Sequence, residues 1–132
     1  MLFPTTTATF AGLFGLIYVG LTAWVMISRT TFNTLEGDSG NPVLQKRVRS
    51  QGNFGEYVPI GLVLIALLEG GGGGHGLVMT VLLMLLIGRV LHPFGLFAAP
   101  GSAPMFACRG GGMLLTLLSL LITSLALLID FA

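Results

Sequence analysis

The residues with the most evident chemistry lie in the segment RVRSQGNFGEYVP, from Arg47 to Pro59. Arg49, Asn53 and Glu56 follow one another at intervals of four and three residues, so a helix places all three on one face, with Tyr57 at its border. A guanidinium binds a carboxylate through paired hydrogen bonds, and a carboxylate accepts an ammonium group. The spacing therefore indicates a site for a small, amino-acid-like anion.

The same side chains also permit a purely structural interpretation. A charge inside a bilayer costs roughly 2.5–3.5 kcal/mol on insertion scales, and pairing offsets this cost. Arg49 can pair with Asn53, but Glu56 is seven residues away, too far for an ordinary direct pair on one helix. Arg89 is the other candidate partner for Glu56. Structural pairing and a ligand site both remain open at this point.

The composition is that of a membrane protein. The chain has 132 residues, of which 54% are hydrophobic and 8% are charged, whereas soluble domains carry about 25% charged residues. A net charge of +1 gives no electrostatic basis for binding nucleic acid. The single cysteine, Cys108, excludes an internal disulfide and a multi-cysteine metal site. We therefore expect neither a nucleic-acid partner nor a metal.

Four segments are apolar enough to cross a bilayer, which takes about 20 residues in a helix. They cover residues 5–28, 43–69, 76–97 and 105–131. The second reaches this length only if its helix includes the polar segment at its start. The linkers are short, so successive helices are antiparallel neighbours. The sequence predicts an all-α membrane protein, with one domain over residues 1–132 folded as an antiparallel four-helix transmembrane bundle.

The basic residues predict how the bundle is oriented. Those near the first linker are Arg29, Lys46, Arg47 and Arg49, and Arg109 lies near the third linker. The second linker, a glycine run from Gly70 to Gly74, has none. Because basic residues favour the cytoplasmic side, we expect loops one and three in the cytoplasm and both termini on the opposite side.

Small residues recur on two of the predicted spans. The fourth span carries a stripe formed by Gly112, Thr116, Ser119, Thr123 and Ala126, and the first span carries the pairs Ala8–Gly12 and Ala11–Gly15. Small residues let transmembrane helices approach closely. The sequence leaves open whether these contacts form within one subunit or between subunits.

The pattern RxQxNxxEYxP resembles the signature of the MAPEG family, whose members are membrane-associated proteins in eicosanoid and glutathione metabolism. It is formed here by Arg49, Gln51, Asn53, Glu56, Tyr57 and Pro59. Residues 35–70, with a GDSG turn before the second span, and the segment GRVLHPFGL at residues 88–96 are similar to its bacterial branch, which resembles microsomal glutathione S-transferase. The resemblance covers most of the chain and implies a homotrimer in a bacterial inner membrane.

The resemblance also implies a ligand and the residues that bind it. In characterised members glutathione lies between subunits near the cytosolic side, as co-substrate. The matching positions in this chain are Arg29, Arg49, Asn53, Glu56, Tyr57, Arg89 and His92. Arg109 or Arg89 would then stabilise the thiolate. The implied activity is a glutathione transferase or peroxidase that acts on hydrophobic electrophiles or lipid hydroperoxides dissolved in the membrane.

Two departures from the family pattern favour an alternative. Leu96 stands where some members have a second tyrosine, and FAAPGSAPM, residues 97–105, lacks the arginine that activates the thiol in those members. A non-catalytic binding or scaffold protein is therefore the second hypothesis. A small transporter or channel is the third, although the half of each span near the glycine run has almost no polar residues. His92 is either a proton carrier or a hydrogen-bonded interhelical residue.

Overall fold

The computed structural model of the protein describes residues 2–131. Its elements are α1 (Thr5–Thr31), α2 (Pro42–Gly70), α3 (His75–Phe97), a π-helix (Met105–Gly110) and α4 (Gly111–Phe131). No strand occurs within this range, and four helices are long and apolar enough to cross a membrane. The prediction of an all-α, four-helix membrane bundle is confirmed, whereas the homotrimer stays a prediction.

The polar segment and the apolar segment of α2 form one continuous helix. Asn41 caps its start: the side-chain oxygen accepts hydrogen bonds from the backbone N–H groups of Val43 and Leu44, at 2.9 and 3.1 Å. Pro42 occupies the first turn, where its missing N–H costs nothing. The helix then runs to Gly70, so Arg49, Asn53 and Glu56 belong to a membrane-spanning element.

At the end of the bundle with the glycine run, α2 is tied to α1 by a carboxylate. Glu69 accepts hydrogen bonds from the backbone N–H groups of Thr6 and Thr7, at 2.9 and 2.8 Å, and from the Thr7 hydroxyl at 2.6 Å. These N–H groups lie in the first turn of α1 and have no partner within the helix. Glu69 therefore caps α1 from another helix and joins the start of α1 to the end of α2.

The small-residue stripe of α4 packs against α3 within the same chain. Thr116, Ser119 and Thr123 are fully buried, and the Ser119 hydroxyl donates to the Val81 carbonyl at 2.8 Å. A Cβ added to Gly88 would lie 2.6 Å from the Gly112 carbonyl, so the two backbones almost touch. The stripe thus serves packing within one subunit. In α1, by contrast, a Cβ added at residue 12 or 15 meets nothing within 4 Å.

The buried core is small and lies mainly between α2 and α3. Its members are Phe14, Phe54, Val58, Ile65, Leu68, Val78, Val81, Leu82 and Leu85. Many large apolar side chains on the outer surface are exposed, such as Leu16 at 73% and Ile129 at 80%. An exterior of this kind is stable against lipid tails and not against water.

Candidate functional site

Four of the polar residues singled out in the sequence line one cavity of about 450 Å³. Arg49 and Asn53 come from α2, His92 from α3 and Arg109 from the π-helix. The remaining lining residues are Leu96, Met105, Phe106, Gly110 and Met113. We call this space the polar cavity. It brings two guanidinium groups, an amide and an imidazole together, although these residues lie up to 60 positions apart in the sequence.

A second cavity of about 590 Å³ adjoins the polar cavity, because both are lined by Arg49, Leu96 and Arg109. It adds the loop residue Asp38 and, from α2, the side chains of Gln45, Lys46 and Val48. Three cations and one carboxylate therefore border this second cavity. Groups of both signs at this spacing complement a ligand that carries carboxylates and an ammonium group.

The position of Arg109 depends on a close contact between the π-helix and α3. A Cβ added to Gly95 would lie 2.6 and 2.7 Å from the Cβ and Cα of Arg109. No side chain fits at residue 95, so glycine there lets the backbone of Arg109 approach α3. The π-helix itself, Met105–Gly110, is a rare element that occurs frequently at functional sites.

Arg89 lies behind the polar cavity, in the interior of the bundle, and is 2% exposed. Its Nη1 and Nη2 atoms face the carbonyl oxygens of Asn53 and Gly112, both at 3.4 Å, and Nε has no hydrogen-bond partner among residues 2–131. The Tyr57 ring stacks against the guanidinium, whose Cζ lies 5.0 Å from the ring centre. Arg89 therefore connects three helices.

Besides Arg89, three predicted ligand-binding residues lie outside the polar cavity in the single chain. Arg29 lines a separate cavity of about 650 Å³ at the start of loop one. Tyr57 is half-buried, with its ring against the Arg89 guanidinium, and Glu56 is exposed on the surface of α2. The alternative in which Glu56 pairs with Arg89 is not realised, since Arg89 is buried against backbone carbonyls while Glu56 points outward.

Sequence reasoning missed several residues that line these cavities. Asp38 lies in the polar GDSG turn, and Phe106 and Met113 lie in the apolar segment predicted as the fourth span, so neither pattern marks them as cavity-lining residues. The π-helix was also not predicted. The available signal was the glycine run from Gly110 to Gly112, which marks a place where the backbone of the fourth span departs from regular α-helix and approaches a neighbour.

Comparisons with known proteins show the family of the chain. Residues 7–129 match the sequence model of the MAPEG family. The chain belongs to the MAPEG family. It is 32% identical over 120 residues to the inner membrane protein YecN of Escherichia coli, from strain K12 and from an O6:H1 strain. Each alignment covers 91% of this chain and 88% of YecN. No solved structure matches the chain.

Proposed function

We propose that this MAPEG protein binds glutathione in the inner membrane and uses its thiolate as a transferase or peroxidase. One observation carries the proposal: Arg49, Asn53, His92 and Arg109 line a single cavity at one end of a largely apolar bundle. The inner-membrane location is supported by the name of the similar Escherichia coli protein. Family membership supports glutathione as the ligand.

The chemistry of glutathione fits the groups around the polar cavity. Glutathione has two carboxylates, one ammonium group and a thiol. The guanidinium of Arg49 suits a carboxylate through paired hydrogen bonds, and the Asn53 amide supplies a further polar contact. Asp38, across the adjoining cavity, offers a carboxylate to the ammonium group within the same chain. Glu56 and Arg29 would contribute from the other side if a second subunit covers the cavity.

Arg109 is the cation that we assign to the thiol. It is exposed, lines both cavities, and lies in the first residues after the linker that lacks an arginine. A guanidinium beside a thiol favours the thiolate, because the ion is stabilised more than the neutral form. The thiolate sulfur then forms a bond to an electrophilic carbon as the leaving group departs with its electron pair, and the thiol proton passes to solvent.

Glutathione binding is tested by isothermal titration of the purified protein in detergent. We expect saturable binding and a loss of about tenfold to a hundredfold in affinity for Arg49→Ala, because a hydrogen bond to a charged group contributes about 1.5–3 kcal/mol. Gln51→Ala is the matched control, since this α2 side chain donates to Thr22 outside the cavity. An affinity that is the same in both variants would exclude the assigned site.

A non-catalytic binding protein is the second candidate, and the linker without a basic residue favours it. The two candidates differ in turnover. Conjugation of glutathione to a chlorinated nitroaromatic, faster than in buffer and lost in Arg109→Ala, supports the transferase. Glutathione binding together with no turnover of either this compound or a lipid hydroperoxide supports the binding protein.

A further inference from the structure

A separate cavity of about 600 Å³ opens between α1 and α3 on the outer surface of the bundle. We call it the α1/α3 groove. It exists because α1 packs extensively on α2 and only sparsely on α3. Its apolar walls are formed by Ile17, Leu21, Val90, Pro93 and Phe94. Val90 and Phe94 are 41% and 65% exposed, so the groove opens to the outside of the bundle and not to the core.

Two aromatic rings form the end of the groove that is nearest loops one and three, and a cation lies against each ring. Trp24 and Phe97 line the groove, with ring centres 5.4 Å apart. The Arg47 guanidinium lies 4.8 Å from the centre of the Trp24 ring, and Lys46 Nζ lies 5.8 Å from that of Phe97. These four side chains, from three helices, are the groove rim.

The charge that a ligand in the groove would meet lies at the rim. Arg89 contributes to the inner wall, but its Nη atoms face carbonyl oxygens of Asn53 and Gly112, on the side of α2 and α4. At the rim, Arg47 Nε is buried and lacks a hydrogen-bond partner within residues 2–131. The groove therefore combines apolar walls with a cationic end at the level of the loops.

We propose that the α1/α3 groove binds one anionic phospholipid. Its phosphate contacts Lys46 and Arg47, and one acyl chain lies between α1 and α3 along Leu21 and Val90. Cations at the membrane boundary attract anionic headgroups, and tryptophan favours the same depth. The wall from Ile17 to Trp24 is about 10 Å long at the helical rise of about 1.5 Å per residue, enough to hold the upper part of an acyl chain.

Trp24 provides a direct measurement of occupancy, because it is the single tryptophan of the chain and lines the groove. The protein is reconstituted in phosphatidylcholine vesicles, and its fluorescence is quenched with lipids that carry bromine on the acyl chain. We expect brominated phosphatidylglycerol to quench at roughly five- to thirtyfold lower mole fraction than brominated phosphatidylcholine, the effect of one or two cations near the headgroup.

Lys46→Gln tests the headgroup contact. The variant removes one rim charge and leaves Arg47 against Trp24, so the surroundings of the fluorophore are retained. We expect the preference for phosphatidylglycerol to fall about fivefold. Lys46→Arg, which keeps the charge, retains the preference. A Lys46→Gln variant with the full wild-type preference would contradict the assigned headgroup contact.

Val90→Phe tests the groove itself, because it adds volume to the wall without changing any charge. We expect quenching by both lipids to weaken and the preference to disappear. Ile87→Phe, at a 47% exposed position of α3 outside the groove, is the matched control. We expect it to retain the quenching by both lipids and the preference for phosphatidylglycerol. If the preference for phosphatidylglycerol survives Val90→Phe, the anionic lipid is attracted to the protein surface in general and not to the groove, which would overturn the proposal. Wild-type protein quenched equally by both lipids, or by neither, would overturn it too.

Discussion

At the scale of the residue, a glycine decides where Arg109, one of the two cations of the polar cavity, lies. Gly95 has no side chain, and the backbone of Arg109 occupies the space that a Cβ would need. The contact between α3 and α4 likewise requires glycine at residues 88 and 112, because a Cβ at either position would lie too close to the other's carbonyl oxygen. The guanidinium that we assign to the thiol therefore depends on glycines that themselves carry no chemistry.

Gly95→Ala is expected to destabilise the protein and to weaken glutathione binding together. The added methyl group forces the π-helix away from α3 and moves Arg109, and overpacking of this kind costs about 1–3 kcal/mol. The free energy of unfolding in detergent and the affinity from titration measure the two effects. Gly52→Ala is the control, because a Cβ at that position of α2 meets nothing within 4 Å. Equal behaviour of both variants would contradict this account.

At the scale of the element, the helices are fixed at opposite ends by different means. At the glycine-run end, Glu69 of α2 caps α1 through the N–H groups of Thr6 and Thr7. At the other end, the Arg47 side chain of α2 donates to the Ser28 hydroxyl of α1 and lies over Trp24. Polar contacts therefore hold α1 at both ends, while its middle packs through apolar side chains such as Phe14 against Phe54.

Removing the Glu69 carboxylate is expected to loosen α1. In Glu69→Ala the first-turn N–H groups of α1 lose their acceptor, and loss of a helix cap costs about 0.5–2 kcal/mol. Unfolding of the reconstituted protein against the mole fraction of dodecyl sulfate measures this loss. Glu36→Ala, which removes an exposed carboxylate of loop one, should leave stability unchanged. The cap has no energetic role if the two variants unfold at the same detergent fraction.

At the scale of the whole molecule, one chain leaves polar and small residues of its membrane-spanning helices uncovered. Glu56 is exposed on α2, and Gly12 and Gly15 of α1 have open space beside them. A carboxylate exposed to lipid is costly, so a second subunit that covers Glu56 would lower the free energy of the assembly. This agrees with the homotrimer that the family resemblance implies, which stays a prediction.

Light scattering in detergent is expected to give a protein mass three times the 13.8 kDa of the chain. We further expect Glu56→Leu to dissociate at a lower dodecyl sulfate concentration than the wild type, because it removes a polar contact between subunits. Val63→Leu, two turns along α2 at a 55% exposed position, is the control. If Glu56 faced lipid, Glu56→Leu would be at least as stable as the wild type. A monomeric mass would contradict the trimer outright.

The sequence by itself determined the class of fold and predicted one face of the candidate site. Spanning length and apolarity are local properties of a segment, so the four helices could be predicted. The helical period likewise places Arg49, Asn53 and Glu56 on one face without knowledge of any neighbour.

Only the tertiary structure decided which residues from other helices join that face. His92 and Arg109 line the same cavity as Arg49, and Asp38 lines the adjoining one, whereas Arg29 lies in a different cavity and Glu56 points outward. The position of Arg109 depends on how closely the π-helix approaches α3, which is set at Gly95 by the contact with the Arg109 backbone. Distances between helices depend on side chains that are remote in the sequence. The periodicity and spacing of residues along one helix therefore do not predict these distances.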